Sequence, residues 1–126
     1  MAVDTVTICG NPMPKPRMTR ADKWKKRPCV VRYRAWADKA RLAVKEQIGK
    51  LPDPKKISHI AISAYFQPPK SCKSRSGAHR QRPDIDNIIK AIFDSLYEDD
   101  SAIPSLTATK EWGPQAKTIV TFFSED

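Results

Sequence analysis

Apolar residues alternate with polar ones along some stretches of the chain and recur every third or fourth position along others. That difference predicts the elements. Residues 3–9, rich in β-branched side chains, read as a short strand closed by Gly10-Asn11-Pro12. From Tyr33 to Lys50, Trp36, Ala40, Val44 and Ile48 recur at helical spacing, continued by Leu51. Lys39, Arg41, Lys45 and Lys50 lie off that stripe, and Gly49 and Pro52 end the helix. Residues 57–66 alternate, with Ile60, Ile62, Ala64 and Phe66 facing one way and His59, Ala61, Ser63 and Tyr65 the other, as a central strand would. A second helix follows Pro83, with Ile85, Ile88, Ile89, Ile92, Phe93 and Leu96 forming a wide apolar stripe. Residues 105–112 and 116–124 read as strands, and Gly113-Pro114-Gln115 between them predicts a terminal antiparallel hairpin. The order β-α-β-α-β-β predicts an α/β fold, a small mixed β-sheet packed with two helices, in one domain over residues 1–126.

Charge changes the picture of the linkers. The chain of 126 residues carries a formal net charge of +9, which favours a polyanionic partner, usually nucleic acid. No apolar run approaches a membrane span and the N-terminus lacks the apolar segment of a signal peptide, so a cytoplasmic protein is expected. Pro12, Pro14, Pro16 and Pro28 work against regular structure over residues 10–28. That loop holds Lys15, Arg17, Arg20, Lys23, Lys25, Lys26 and Arg27, opposed by Asp22 alone, and Trp24 inside the run suits stacking on bases. Residues 70–82 hold Lys70, Lys73, Arg75, Arg80 and Arg82 with no acid, and Ser71, Ser74, Ser76 and Gly77 predict a mobile arm. Such cations bind phosphates with little sequence information. Cys9, Cys29 and Cys72 form no CxxC pattern and read as reduced thiols, and His59 and His79 have no zinc-ligand spacing.

Acid is set inside this base. Six of the fourteen Asp and Glu residues fall between Asp84 and Asp100. Asp84, Asp86 and Asn87 stand where the second helix begins, and Asp86, Lys90 and Asp94 are four apart on one face. An ordinary account exists: Asp residues at a helix start satisfy free N–H groups, and Asp86 with Lys90 would form a surface pair. It leaves unexplained why Glu98, Asp99 and Asp100 follow directly. Clustered carboxylates repel one another unless a cation screens them, and hard cations such as Mg²⁺ take oxygen ligands.

The run Asp84-Ile-Asp86-Asn87-Ile-Ile-Lys90-Ala-Ile-Phe-Asp94-Ser-Leu96, then Asp99-Asp100-Ser101, resembles the RusA family of Holliday-junction resolvases. Those proteins carry a D-x-D-N-x-x-K-A-x-x-D-x-L block followed by an acidic pair. The resemblance implies a homodimeric, Mg²⁺-dependent endonuclease for branched DNA, with Mn²⁺ able to substitute. It implies that Asp84, Asp86, Lys90 and Asp100 are essential, and that Asp84, Asp86 and Asp100 converge within a few ångströms to hold the metal. Only Tyr97 and Glu98 separate Leu96 from Asp99, about five residues fewer than in many members, and Ala102 stands where many have Gln. The shorter connection leaves Glu98 and Asp99 as alternative donors to Asp100.

The chemistry is consistent with this. Hydrolysing a phosphodiester needs an activated water and stabilisation of charge on the phosphoryl oxygens, and carboxylate-held metals supply both. Lys90 would stabilise developing charge or assist the leaving group. Cutting two symmetry-related strands suits a twofold dimer. The rival expectations are a metal-dependent nuclease of flaps or single strands, and a DNA-binding module without catalysis.

Overall fold

The computed structural model describes residues 2–24, 26–72 and 75–125. The elements are β1 (Ala2–Cys9), α1 (Pro28–Gln47), β2 (Ile57–Phe66), α2 (Ile85–Leu96), β3 (Leu106–Trp112) and β4 (Lys117–Ser124). The α/β order expected from the sequence is the one observed. Helix α1 starts five residues earlier than its apolar stripe suggested. Pro28 occupies the first turn of the helix, where its missing N–H costs nothing and its fixed φ is helical. At the other end Gly49, with φ +79°, lets its N–H turn back to the carbonyl of Val44 at 3.0 Å.

The four strands lie in the order β1-β4-β2-β3. β4 runs antiparallel to both β1 and β2, whereas β3 pairs parallel to β2, with Leu106 opposite Ile60 and Trp112 opposite Phe66. The expected terminal hairpin is therefore not formed: β3 and β4 are separated by β2. The reason lies in composition. β4, with Ile119, Val120, Phe122 and Phe123, suits a strand paired on both sides, while β3 carries Thr107, Thr109, Lys110 and Glu111 and suits a polar edge. The link at 113–116 passes the end of β2, and the Gly113 N–H donates to the Phe66 carbonyl at 2.9 Å. A Cβ at Gly113 would stand 3.2 Å from the Tyr65 ring, a tight contact that glycine avoids.

Both helices contribute to a single core on one face of the sheet. Val6 and Ile8 of β1, Ile60, Ile62 and Ala64 of β2, and Val120 and Phe122 of β4 meet Trp36, Ala40 and Val44 of α1 and Ile88, Ala91 and Ile92 of α2. Trp36 is a core residue, as expected. Of the expected α2 stripe, Ile88 and Ile92 are fully buried and Ile85 remains 37% exposed. No helix among the described residues is long and apolar enough to cross a membrane. Phe122, on the middle strand of this core, has no exposed surface. Phe122→Ala should cost about 3–5 kcal/mol in urea unfolding, with cleft-facing substitutions on α2 such as Lys90→Ala costing under about 1 kcal/mol.

Candidate functional site

The site is built from one face of α2 and the basic loop that crosses it. Asp84 is the N-cap of α2, Asp86 lies in its first turn, and Asn87, Lys90 and Asp94 follow at helical spacing. The loop is strapped to this face because the Lys15 N–H donates to the Asn87 carbonyl at 3.0 Å and the Lys15 ammonium pairs with Asp94. Between them lie two adjoining hollows that share Lys15 and Asn87. One, of about 480 Å³, is lined by Pro14, Arg82, Pro83 and Asp84 as well. The other, of about 380 Å³, is completed by Pro16, Arg17, Lys90 and Asp94. Together they form a groove with Asp84 at one end and Lys90 further along. Asp86 is exposed and lines neither hollow.

The ordinary account of these side chains does not hold. Asp84 makes no cap hydrogen bond with its side chain. Lys90 makes no ion pair with Asp86, and Asp94 is taken by Lys15. Among the described residues, Asp84, Asp86 and Lys90 have no side-chain hydrogen-bond or ion-pair partner. Two bare carboxylates and a bare ammonium thus share the start of one helix, and their charge is not spent on the fold.

Asp100 lies elsewhere. α2 has twelve residues, about 18 Å of rise, with Asp84 at its start and Asp100 four residues past its end. The carbonyl of Asp100 instead accepts the Ile103 N–H at 3.1 Å in a turn leading to Leu106, opposite Ile60 near the start of β2. The two alternative donors sit in the same connection, both exposed, and Asp99 accepts the Ser101 N–H at 2.9 Å. Among the described residues no group of three His, Cys, Asp or Glu side chains could hold a metal ion. The expected convergence of Asp84, Asp86 and Asp100 is therefore not found within one chain. Asp84 and Asp86 still suit a hard cation. They are exposed and unpaired oxygen donors, and Mg²⁺ commonly takes only one or two carboxylates, completing its shell with water and substrate phosphate.

The first basic loop is folded rather than merely solvated. Asp22, the acid that sequence reasoning passed over, is its node and is only 3% exposed. Arg27 grips it with two hydrogen bonds of 2.8 Å, the Thr19 N–H donates at 2.6 Å, and Arg34 holds its carbonyl at 3.0 Å. The Arg27 guanidinium, and after it the Thr19 N–H, hold the Asp22 carboxyl far below the usual carboxylate range. The expected DNA-contacting cations thus divide. Lys15 and Arg27 are engaged inside the protein, while Arg17, Arg20 and Lys26 are exposed, beside a Trp24 that is 70% exposed. Lys25 and Lys73 fall outside the described residues, as does the side chain of Lys23.

The second arm is not the free loop its composition suggested. Residues 77–83 lie along the outer edge of β3. The Trp112 N–H donates to the Gly77 carbonyl at 2.9 Å and the His79 N–H to the Lys110 carbonyl at 3.0 Å. The His79 ring stacks on Phe66 at 4.0 Å and leans on Trp112 at 4.4 Å, and Arg75 covers the Trp112 ring at 5.3 Å. Aromatic and cation–π contacts therefore pin a segment that looked like a linker, leaving Arg80 and Arg82 exposed, Arg82 on the groove wall. Cys9 and Cys29 are free thiols. The side chain of Cys72 is outside the described residues.

Two comparisons bear on this arrangement. The sequence model of the endodeoxyribonuclease RusA family matches residues 10–122, which takes in both basic segments, the groove and the acidic connection. No curated protein compared with the chain matches it.

The pinned arm should respond to acid. Burial, then the nearby Lys110 and Arg75 charges, push the His79 imidazole below its ordinary value of 6.5. The neutral ring is the form that packs, so its contribution is whole above about pH 6.5 and is lost as pH falls from there towards the lower folded value. The melting temperature of the native protein should fall more between about pH 7.5 and pH 5.5 than that of His79→Phe. Equal losses in the two proteins would remove His79 from the account.

Proposed function

We propose that this chain, which belongs to the endodeoxyribonuclease RusA family, resolves four-way DNA junctions by paired, symmetric cuts as a Mg²⁺-dependent homodimer. The observation that carries the proposal is the set of partnerless charges at α2, Asp84, Asp86 and Lys90, of which Asp84 and Lys90 line a groove edged by exposed cations. A protein with net charge +9 that keeps free carboxylates at one spot has a use for them there. DNA alone would be repelled by those carboxylates.

Asp84 and Asp86 would hold Mg²⁺ or Mn²⁺. When bound, the ion would supply an activated water and neutralise charge on the phosphoryl oxygens. The remaining work falls to the protein. Arg17 and Arg82, which line the groove, would take the phosphates flanking the scissile bond, and Arg20, Lys26 and Arg80 extend that attraction outwards. Lys90, with its ammonium unspent, would meet the negative charge that develops on the phosphoryl group. The folded first loop leaves Trp24 open to solvent, which suits stacking on bases left open at a branch point.

The position of Asp100 after α2 supports the dimer. In the sequence of elements Asp84 caps the start of α2, whereas Asp100 follows its end. A site joining Asp84 and Asp86 to Asp100 would need Asp100 of a second copy, and twofold symmetry would then give two such sites, one for each strand to be cut.

Asp84→Asn should abolish cleavage of a synthetic four-way junction in Mg²⁺ while leaving junction binding intact or tighter, since it removes a negative charge facing phosphate. Lys90→Ala should lower turnover by about 10²-fold or more with little change in melting temperature. Cleavage of flaps or single strands in preference to the junction would favour a nuclease of other specificity, and cleavage of none of them would reduce the protein to a binding module.

Mixing inactive Asp84→Asn protein with inactive Asp100→Asn protein tests the shared site. In a mixed dimer one of the two shared sites is intact, so single-strand nicking of junctions should return. If each site lies within one chain, the mixture stays inactive.

A further inference from the structure

Within α2, Asp84 is held by one long bond, from the Ile88 N–H to its carbonyl at 3.3 Å. Pro83 has no N–H to donate, and the Asp84 side chain does not cap the helix. A further restraint comes from outside. Lys110, half-buried on the edge strand β3, donates its ammonium to the Gln81 carbonyl at 2.7 Å and to the Pro83 carbonyl at 2.7 Å. Pro83 is the residue directly before Asp84. The main-chain carbonyl of the same lysine accepts the His79 N–H at 3.0 Å, so Lys110 grips the arm at residues 79, 81 and 83. Both side-chain bonds are charge-assisted and short.

We propose that Lys110 is a positioning residue for the nuclease reaction: holding the carbonyls of Gln81 and Pro83 from β3, it fixes where the Asp84 carboxylate stands in the groove. This rests on the functional reading above. A lysine at a sheet edge often serves only to discourage pairing with other chains, and such a lysine points to solvent. Lys110 does not. Its ammonium makes no ion pair with an acid among the described residues and is committed to two carbonyls of the turn that delivers Asp84. The ammonium serves both carbonyls at once, and a neutral apolar side chain of similar length donates to neither. Without it the arm stays attached through the His79 stack and the main-chain bonds, while the last turn before α2 is freed. Placement of catalytic groups tolerates little looseness, and losing an outer partner of this kind costs about 10–100-fold in activity.

The test compares native protein, Lys110→Met and Lys110→Arg in two measurements. In steady-state cleavage of a four-way junction with Mg²⁺, Lys110→Met should lose about 10–100-fold in kcat with KM unchanged. Lys110→Arg, which keeps a charged donor, should recover most of the loss. In amide hydrogen exchange without metal or DNA, Lys110→Met should lose protection at Ile88, whose N–H bonds the Asp84 carbonyl, while Val120 in the core keeps its protection. Unchanged kcat in Lys110→Met, or a loss that Lys110→Arg does not recover, overturns the proposal, as does loss of protection at Val120 together with Ile88. If the native protein cuts no branched DNA, the functional reading fails, and the exchange measurement still decides whether Lys110 holds the turn.

Discussion

Burial of one side of α2 is the constraint on which the rest depends. Ile88, Ala91 and Ile92 have essentially no exposed surface, and they lock the helix against a sheet face made by β1, β2 and β4. A helix held that firmly cannot rotate, so the residues on its other side point where the packing directs them. Asn87, Lys90 and Asp94 are turned towards the first basic loop by apolar contacts in which they take no part. The core therefore orients the groups that meet solvent, and polar interactions need only trim the ends.

Cations in this protein have two occupations. Some are spent on the fold: Arg27 on Asp22, Lys15 on Asp94, Arg75 on the Trp112 ring and Lys110 on two carbonyls. Others, such as Arg20, Lys26, Arg80 and Arg82, stay in water. The first group gives shape to segments too polar and too rich in proline to fold by burial, and so holds the second group in place. A strongly basic surface would otherwise repel itself and disperse its charge. Here a few internal partners order it.

The elements themselves could be read from the sequence because periodicity reports which face is buried, and that is a local property. The alternation over residues 57–66 and the stripe from Ile88 to Leu96 are of this kind. Strand pairing is not local, and a Gly-Pro turn between two strand-like runs suggested a hairpin where β2 in fact intervenes. The contrast between apolar β4 and polar β3 held the answer, since only a strand paired on both sides needs so many apolar residues. The acidic block was equally legible as a pattern of residue types. Its partnerless state was not, because whether Asp86 meets Lys90 depends on rotamers and on Lys15 reaching Asp94 from far along the chain. Asp22 and His79 were passed over because each looked like an isolated polar residue in a linker, and their partners are distant or aromatic.

The placement of β4 has a bearing on how the protein comes into being. Its residues pair along their whole length with β1, from Ala2 opposite Ser124 to Cys9 opposite Lys117, and on the other side with β2. β1 and β2 share no edge until β4 lies between them. During synthesis the first strand must wait, unpaired, for the last to leave the ribosome, and the core face beneath α1 and α2 stays open meanwhile. A sheet closed by sequence-distant partners folds more slowly than one built from neighbours. It also means that an interrupted chain lacking β4 would leave β1 with no partner strand and β2 paired only with β3.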